Sequence, residues 1–477
     1  MEINSGDTAW VLVSAALVLL MTPGVALFYG GMVRAKSVLN MMMMSFGAMA
    51  TISVAWVLWG YSEAFGESWH GLIGNPFQHF GLGDLLNGDT AVFGFVPAVQ
   101  AVAAHDGIAA VAGAPAHGGI PALAFVAFQA VFAIITVALI SGAIADRAKY
   151  STWLVFTVLW ATIVYFPVAH WVFAFDGYAA NTGGWIANQL KTIDFAGGTA
   201  VHINAGAAGL VLALVLGKRI GFGKDDMRPH NLTLVMVGAA LLWFGWFGFN
   251  AGSALGANNT AAVTWVNTMA ATGAACLAWL ATERIRDGHA TSLGAASGIV
   301  AGLVAITPAC SAVTPVGAVG IGALAGVLCA LAVSLKFRFG FDDSLDVVGV
   351  HLVGGLVGTV AIGFLASASA PAGVDGLFYG GGFDQLWRQV VGAVVVLTYS
   401  FVVTGLIGLA LHKTLGFRVS RDAEVSGIDL EEHAETSYDL GSLGGGGMRH
   451  AGAALFASHP PASAPMESRH HNQGATS

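Results

Sequence analysis

Apolar stretches of about 20 residues recur from one end of this chain to the other, each long enough to cross the ~30 Å hydrocarbon core of a bilayer as a helix. Lipid offers no water to backbone polar groups, and a helix satisfies them within one segment. The chain is therefore committed to an all-α polytopic membrane fold. Eleven spans fall near residues 8–30, 39–62, 121–145, 151–173, 196–217, 231–252, 260–282, 292–308, 314–336, 347–367 and 386–412. Composition agrees, since only 10% of the 477 residues are charged, where a soluble domain has about 25%. The net charge of −8 is small for this length and gives no argument for a nucleic-acid partner. Cys276, Cys310 and Cys329 lie in or beside apolar spans and read as packing residues. Met1 to Asp7 lacks the basic start of a signal peptide, so the first span is expected to be retained.

Lysine and arginine fall in alternate loops. One side holds Arg34, Lys36, Arg147, Lys149, Lys218, Arg219, Lys224, Arg228, Arg284, Arg286, Lys336 and Arg338. The other holds Lys191, with Arg388 at a span edge. The positive-inside rule places the first set in the cytoplasm, the N-terminus outside and the C-terminus inside. Ten spans divide into two halves of five. Five is odd, so the second half must be inverted relative to the first, and the eleventh span is an addition.

The halves share a phrase. Val201-His202-Ile203-Asn204-Ala205-Gly206-Ala207-Ala208-Gly209 matches Val350-His351-Leu352-Val353-Gly354-Gly355-Leu356-Val357-Gly358, in the fifth and tenth spans, with the histidines 149 positions apart. A full charge at a bilayer centre costs roughly 2.5 kcal/mol or more. A lone buried histidine is often a neutral core residue bonded to a carbonyl, whereas a matched pair points to a site where the halves meet. Two neutral imidazoles can share one hydrogen bond and accept a proton or bond a neutral polar solute. Asp194 stands just before the fifth span as a helix N-cap, and would also put a negative charge under an outer vestibule. Asp343 and Asp346 precede His351 similarly and are expected to cap a helix and order a loop. Any one of the 28 phenylalanines is more often packing than lining. The small-xxx-small glycine spacings mean close helix contact first.

Two regions lie outside the membrane. Residues 63–119 form a long loop without lysine or arginine. After Lys413 the chain turns charged, and from about Gly441 it becomes low-complexity, with the disorder expected of such composition. Three segments follow: a membrane domain over 1–413, a cytoplasmic region over 414–440 and a tail over 441–477. The histidines of the tail read as solvated rather than metal-binding.

Six phrases resemble the Amt/Mep/Rh ammonium transporter family, its bacterial-type Amt branch in particular: Phe28-Tyr29-Gly30-Gly31-Met32-Val33-Arg34; Asp194 through Asn204; Lys224 to Asn231; Gly245 through Ser253; Thr307-Pro308-Ala309-Cys310; and Asp342 through His351. The resemblance runs from about residue 8 to 438. It implies a homotrimer in the cell membrane, with one narrow pore per subunit, serving nitrogen uptake. It also implies an outer ammonium site of Phe128, Phe173 and Ser253, with Asp194 as the essential acid beside it. Phe132 and Phe249 would be the stacked gate, and His202 and His351 the twin histidines of an apolar pore. The family usually has tryptophan where this chain has Phe173, which leaves two expectations, a weaker outer site or compensation by Trp171. The segment from Gly416 through Asp429, His433 and Tyr438 resembles a regulatory C-terminal region and implies a PII-type nitrogen regulatory protein as partner. No cofactor and no metal enter this reading.

Ammonium and potassium are similar in size, so a simple hole would pass both. A dry pore imposes several kcal/mol on either bare ion. Ammonium can avoid much of that by giving up its proton, and potassium cannot. The competing readings are a Rh-type neutral ammonia or gas channel, an ammonium sensor, and a haem protein with the two histidines as ligands. The Asp194 phrase and Ser253 argue for the charged-substrate branch.

Overall fold

A computed structural model of the chain describes residues 3–86, 92–93, 119–177 and 180–438. Among the described residues ten helices are long and apolar enough to cross a membrane: α1 (Ser5–Met32), α2 (Ala35–Phe65), α3 (Ala122–Ile144), α4 (Tyr150–Phe173), α5 (Gly198–Leu216), α6 (Leu232–Gly252), α7 (Asn259–Asp287), α9 (Pro315–Phe339), α10 (Val348–Leu365) and α11 (Asp384–Thr414). The eighth expected span is a shorter helix, α8 (Ser292–Ile306). Its 15 residues span only about 22 Å. The chain then turns through Ala312, still buried. Buried backbone outside a helix needs partners, and Asn267 supplies them, donating Nδ2 to the carbonyls of Cys310 and Val313 at 2.8 Å each.

Helix starts follow capping chemistry. Asn4, Asn231, Asn258, Thr291 and Thr314 each accept a first-turn N–H, opening α1, α6, α7, α8 and α9. Pro315 sits in the first turn of α9, where its missing N–H costs nothing. Helices α1–α5 and α6–α10 make matching contacts. The first helix of each set touches its second and third, and α5 meets α10 across the middle. The two first helices, α1 and α6, pack along each other more closely than side chains allow. A Cβ on Gly248 would stand 2.8 Å from the Ser14 carbonyl oxygen, and one on Gly31 would stand 2.7 Å from that of Asn231.

At the end of the molecule that carries Arg34, the loops are tied by buried charge. Asp146 accepts from Arg34 (3.2 Å) and Arg219 (3.0 Å), and Arg219 grips Asp342 through Nε and Nη2, both at 2.9 Å. Burial alone would raise the Asp342 carboxyl, but Arg219 and Arg147 hold it below its ordinary value. Arg147, fully buried, donates to the Asp342 carbonyl at 2.6 Å and to Ser344 at 2.5 Å.

The segment after α11 folds onto this end. Phe417 is buried, and its carbonyl accepts from Lys149 N at 2.9 Å. Arg418 donates to the Leu216 and Lys218 carbonyls and to Glu424, which accepts from Ile220 N. Two short helices follow, α12 (Arg421–Ser426) and α13 (Ile428–His433). Asp429 accepts from Leu39 N (3.0 Å) and Asn40 N (2.8 Å) in the first turns of α2, and burial pushes its carboxyl up. One compact unit extends to Glu435. The expectation of disorder from Gly441 onward, and most of the loop before residue 119, lie outside the described residues.

Candidate functional site

The histidine helices begin alike. Asp194 precedes α5, and its carboxylate accepts from Gly197 N (2.8 Å), Gly198 N (2.6 Å), Thr199 N (2.7 Å), Ala200 N (3.2 Å) and the Thr199 hydroxyl. Asp343 precedes α10 and accepts from Val347 N (3.1 Å) and Val348 N (2.7 Å). Three residues after each aspartate the backbone turns left-handed, at Gly197 with φ +124° and at Asp346 with φ +63°. Each helix then opens with a wide π turn, Gly198–Ile203 and Val348–Leu352, and each turn carries a histidine. An extra residue in a turn re-aims the side chains after it, which is why such turns gather at functional sites.

The two turns bring the imidazoles together. His202 Nδ1 and His351 Nδ1 are 3.3 Å apart, with the rings 5.4 Å apart and tilted by 18°. Both are buried, at 1% and 4% exposure. Two nitrogens can bond only if one donates and the other accepts, so the neutral pair holds opposite tautomers. One outer Nε2 is then an acceptor and the other a donor. His202 Nε2 has no hydrogen-bond partner among the described residues.

An aromatic column stands on this pair. Phe128 meets Phe132 edge-on at 4.9 Å, Phe132 meets Phe249 at 4.4 Å, and Phe249 lies 6.0 Å from His202. Trp246 stacks on His202 at 5.4 Å and 18°, held by its indole N–H on Thr307 Oγ1 at 2.8 Å. A narrow void runs beside the column, lined by Phe28, Tyr29, His202, Trp246, Phe249 and His351 among apolar neighbours. A second void shares Phe28, Tyr29, Val300 and His351 with it and continues past Ser297 to Asp346.

Above the column opens a large vestibule whose walls include Phe132, Phe173, Phe175, Lys191, Asp194, Ser253, Asp384 and Arg388. Ser253 Oγ donates to the Phe249 carbonyl at 2.8 Å, which leaves its lone pairs free to accept. The structure thus brings Phe132, Phe173, Asp194 and Ser253 to one vestibule, and Phe249, His202 and His351 to the void beneath. Phe128 stands apart, fully buried behind Phe132 and Gly252 rather than on the vestibule wall. Trp171 is not among the residues that line the vestibule beside Phe173. Its indole donates to the Leu72 carbonyl at 2.6 Å and its ring packs on Tyr399 at 4.7 Å, away from the vestibule. Phe175, 46% exposed, shares the wall with Phe173, as do Phe125, Phe132 and Phe195. Trp246 and Phe28 are site residues that sequence reasoning missed. Trp246 stands one helical turn before Phe249, on the same face of α6, and that spacing was the available signal.

Residues 9–438 match the Ammonium Transporter Family. The chain is 62% identical over 449 residues to the ammonium transporter of Mycobacterium tuberculosis (strain H37Rv), covering 93% of this chain and 92% of that protein. Among solved structures it resembles Saccharomyces cerevisiae Mep2, with a TM-score of 0.75 and 34% identity over 88% of this chain and 89% of that one. A structure titled Sensor Amt Protein superposes with a TM-score of 0.77 at 28% identity, over 90% of this chain and 98% of that one.

Proposed function

The chain belongs to the Ammonium Transporter Family, and on that premise we propose how its geometry moves ammonium. The protein is a multi-pass cell-membrane transporter of ammonium rather than an enzyme. The basic ends of the helices face the cytoplasm, so the vestibule opens outward. Ammonium enters it, and its N–H groups bond the Ser253 hydroxyl, whose own proton is committed to the Phe249 carbonyl. Phe173 offers a cation–π face worth roughly 0.5–2 kcal/mol. Asp194 holds the N-terminus of α5, and so His202, in place, and adds negative charge to the vestibule wall.

Below the vestibule, Phe132 and Phe249 close the way to water and to hydrated ions. A bare cation crossing there would lose several kcal/mol of hydration. Ammonium yields its proton and passes as ammonia, bonded in turn by the two imidazoles, one offering an acceptor and the other a donor. The released proton follows through the histidine pair, and transport is electrogenic. The observation that carries this reading is the buried pair itself, two hydrogen-bonded imidazoles in an apolar void with one Nε2 unpartnered.

The subunits form a homotrimer, with one such pore in each. Residues 414–440 are a regulatory region, and a PII-type nitrogen regulatory protein docks at the cytoplasmic face. The contacts of Asp429 with α2 and of Arg418 with the end of α5 support a region able to sense or set the state of the membrane helices.

The test is an ammonium jump on proteoliposomes, with potassium as control. Current with ammonium and none with potassium is expected. Silence with ammonium, together with alkalinisation of an internal pH dye, would overturn electrogenic transport in favour of neutral ammonia conduction.

A further inference from the structure

Among the described residues four charged side chains line the vestibule, and three of them have partners. Arg388 holds Asp384 through Nε (2.9 Å) and Nη2 (3.2 Å) and donates Nη1 to the Leu190 carbonyl at 2.7 Å. Asp194 is saturated by the first turn of α5. The fourth, Lys191, is exposed on the same wall, and its ammonium has no hydrogen bond or ion pair among the described residues. Its backbone is left-handed, φ 57° and ψ 40°, closing the turn Ile186–Leu190. Glycine visits this region routinely, asparagine and aspartate occasionally, and lysine rarely. An unpartnered lysine held in a strained conformation at the mouth of a cation pathway is an outlier that asks for a function.

We propose that Lys191 is a fixed positive charge that filters cations by valence before they reach the outer site. The proposal rests on the reading of the vestibule as the ammonium entrance. A unit charge about 10 Å from a site in water lowers monovalent occupancy about twofold, more where low-dielectric walls focus the field. The same potential acts on each charge of an ion, so a divalent cation is depleted about fourfold. Lys191 therefore gives up a little ammonium occupancy and keeps divalent cations from plugging the vestibule. Arg388 cannot replace it, since Asp384 cancels its charge.

The test is labelled methylammonium uptake by proteoliposomes of the full chain at ~10 mM and ~300 mM ionic strength, where screening lengths differ severalfold, with magnesium as competitor. Lys191→Asn suits the left-handed backbone and removes the charge. At low ionic strength it should lower the half-saturation about twofold and the half-inhibitory magnesium concentration about fourfold. The maximal rate should be unchanged, and both shifts should vanish at high salt. Lys191→Arg should behave as the parent. Asp384→Asn, which uncovers the Arg388 charge, should raise the half-saturation. If Ser253→Ala and Asp384→Asn shift the half-saturation while Lys191→Asn does not, the filter is overturned alone. If all three leave it unmoved, the vestibule is not the entrance and the underlying reading fails. Equal shifts for methylammonium and magnesium would overturn filtering by valence.

Discussion

The two halves of the membrane domain build one device twice: an aspartate, a left-handed residue three positions on, a π turn, and a histidine eight positions after the aspartate. The copies differ in what surrounds the aspartate. Asp194 meets four N–H groups and a hydroxyl. Asp343 meets only two N–H groups and has Asp346 and Lys336 beside it. Lys336 pairs with Asp346 at 2.7 Å and donates to the Asp343 carbonyl at 3.0 Å. Burial, with the Asp346 charge adding to it, pushes the Asp343 carboxyl up to about 6. Duplication kept the geometry that makes two imidazoles meet. Divergence left one cap saturated by hydrogen bonds and placed the other beside a charged pair at the opposite mouth.

The largest expected difference between the halves is in the caps. Asp194→Ala strands five donors, each unsatisfied buried group costing about 1–3 kcal/mol. Transport should be lost and the melting temperature in detergent should fall steeply. Asp343→Ala strands two, and should keep measurable transport with a smaller fall in melting temperature. Equal losses would show that the copies are not differently loaded.

Next in size is the pair itself. Replacing His202 and His351 together by alanine should lower ammonium-over-potassium current selectivity at least about tenfold, an effect of roughly 1.4 kcal/mol. Retained selectivity would remove the pair from the mechanism.

A smaller effect should appear with pH. The folded Asp343 carboxyl lies at about 6, above its ordinary value of 3.8, so the native state binds the extra proton in that window. Stability should then rise as pH falls from about 6 toward 4. Asp343→Asn should flatten that slope in thermal melts. A slope unaltered by the substitution would place its origin elsewhere.

The smallest concerns Phe173. An indole is a better cation–π partner than a phenyl ring, so Phe173→Trp should lower half-saturation about two- to tenfold. Trp171 is not among the residues lining the vestibule, and its ring is packed on Tyr399. An unchanged half-saturation would mean that Ser253 dominates the outer site.

Much of this was legible in the chain because lipid and duplication are severe constraints. Apolar length located the ten long helices and the shorter α8, and the matched histidine phrases foretold the 3.3 Å contact. The aspartate before α5 announced its cap through N-cap chemistry alone. What was not legible came from packing. The π turns at His202 and His351 follow from how the helices meet after a left-handed residue, and neither phrase carries a local signal for them. The brevity of α8 depends on Asn267, a residue of another helix, satisfying the backbone at Cys310 and Val313. Phe128 and Trp171 could not be placed either, since both are aromatics in apolar runs whose facing is decided by neighbours far away in sequence.

The glycine contacts between α1 and α6 have a consequence for how fast the protein can work. These helices belong to opposite halves, and at Gly31 and Gly248 their backbones touch where no side chain would fit. Halves interlocked in this way cannot rock against each other without opening voids along the whole seam. Turnover then carries no toll for a large swing of the scaffold, and its temperature coefficient should be shallow, like that of diffusion through a fixed aperture.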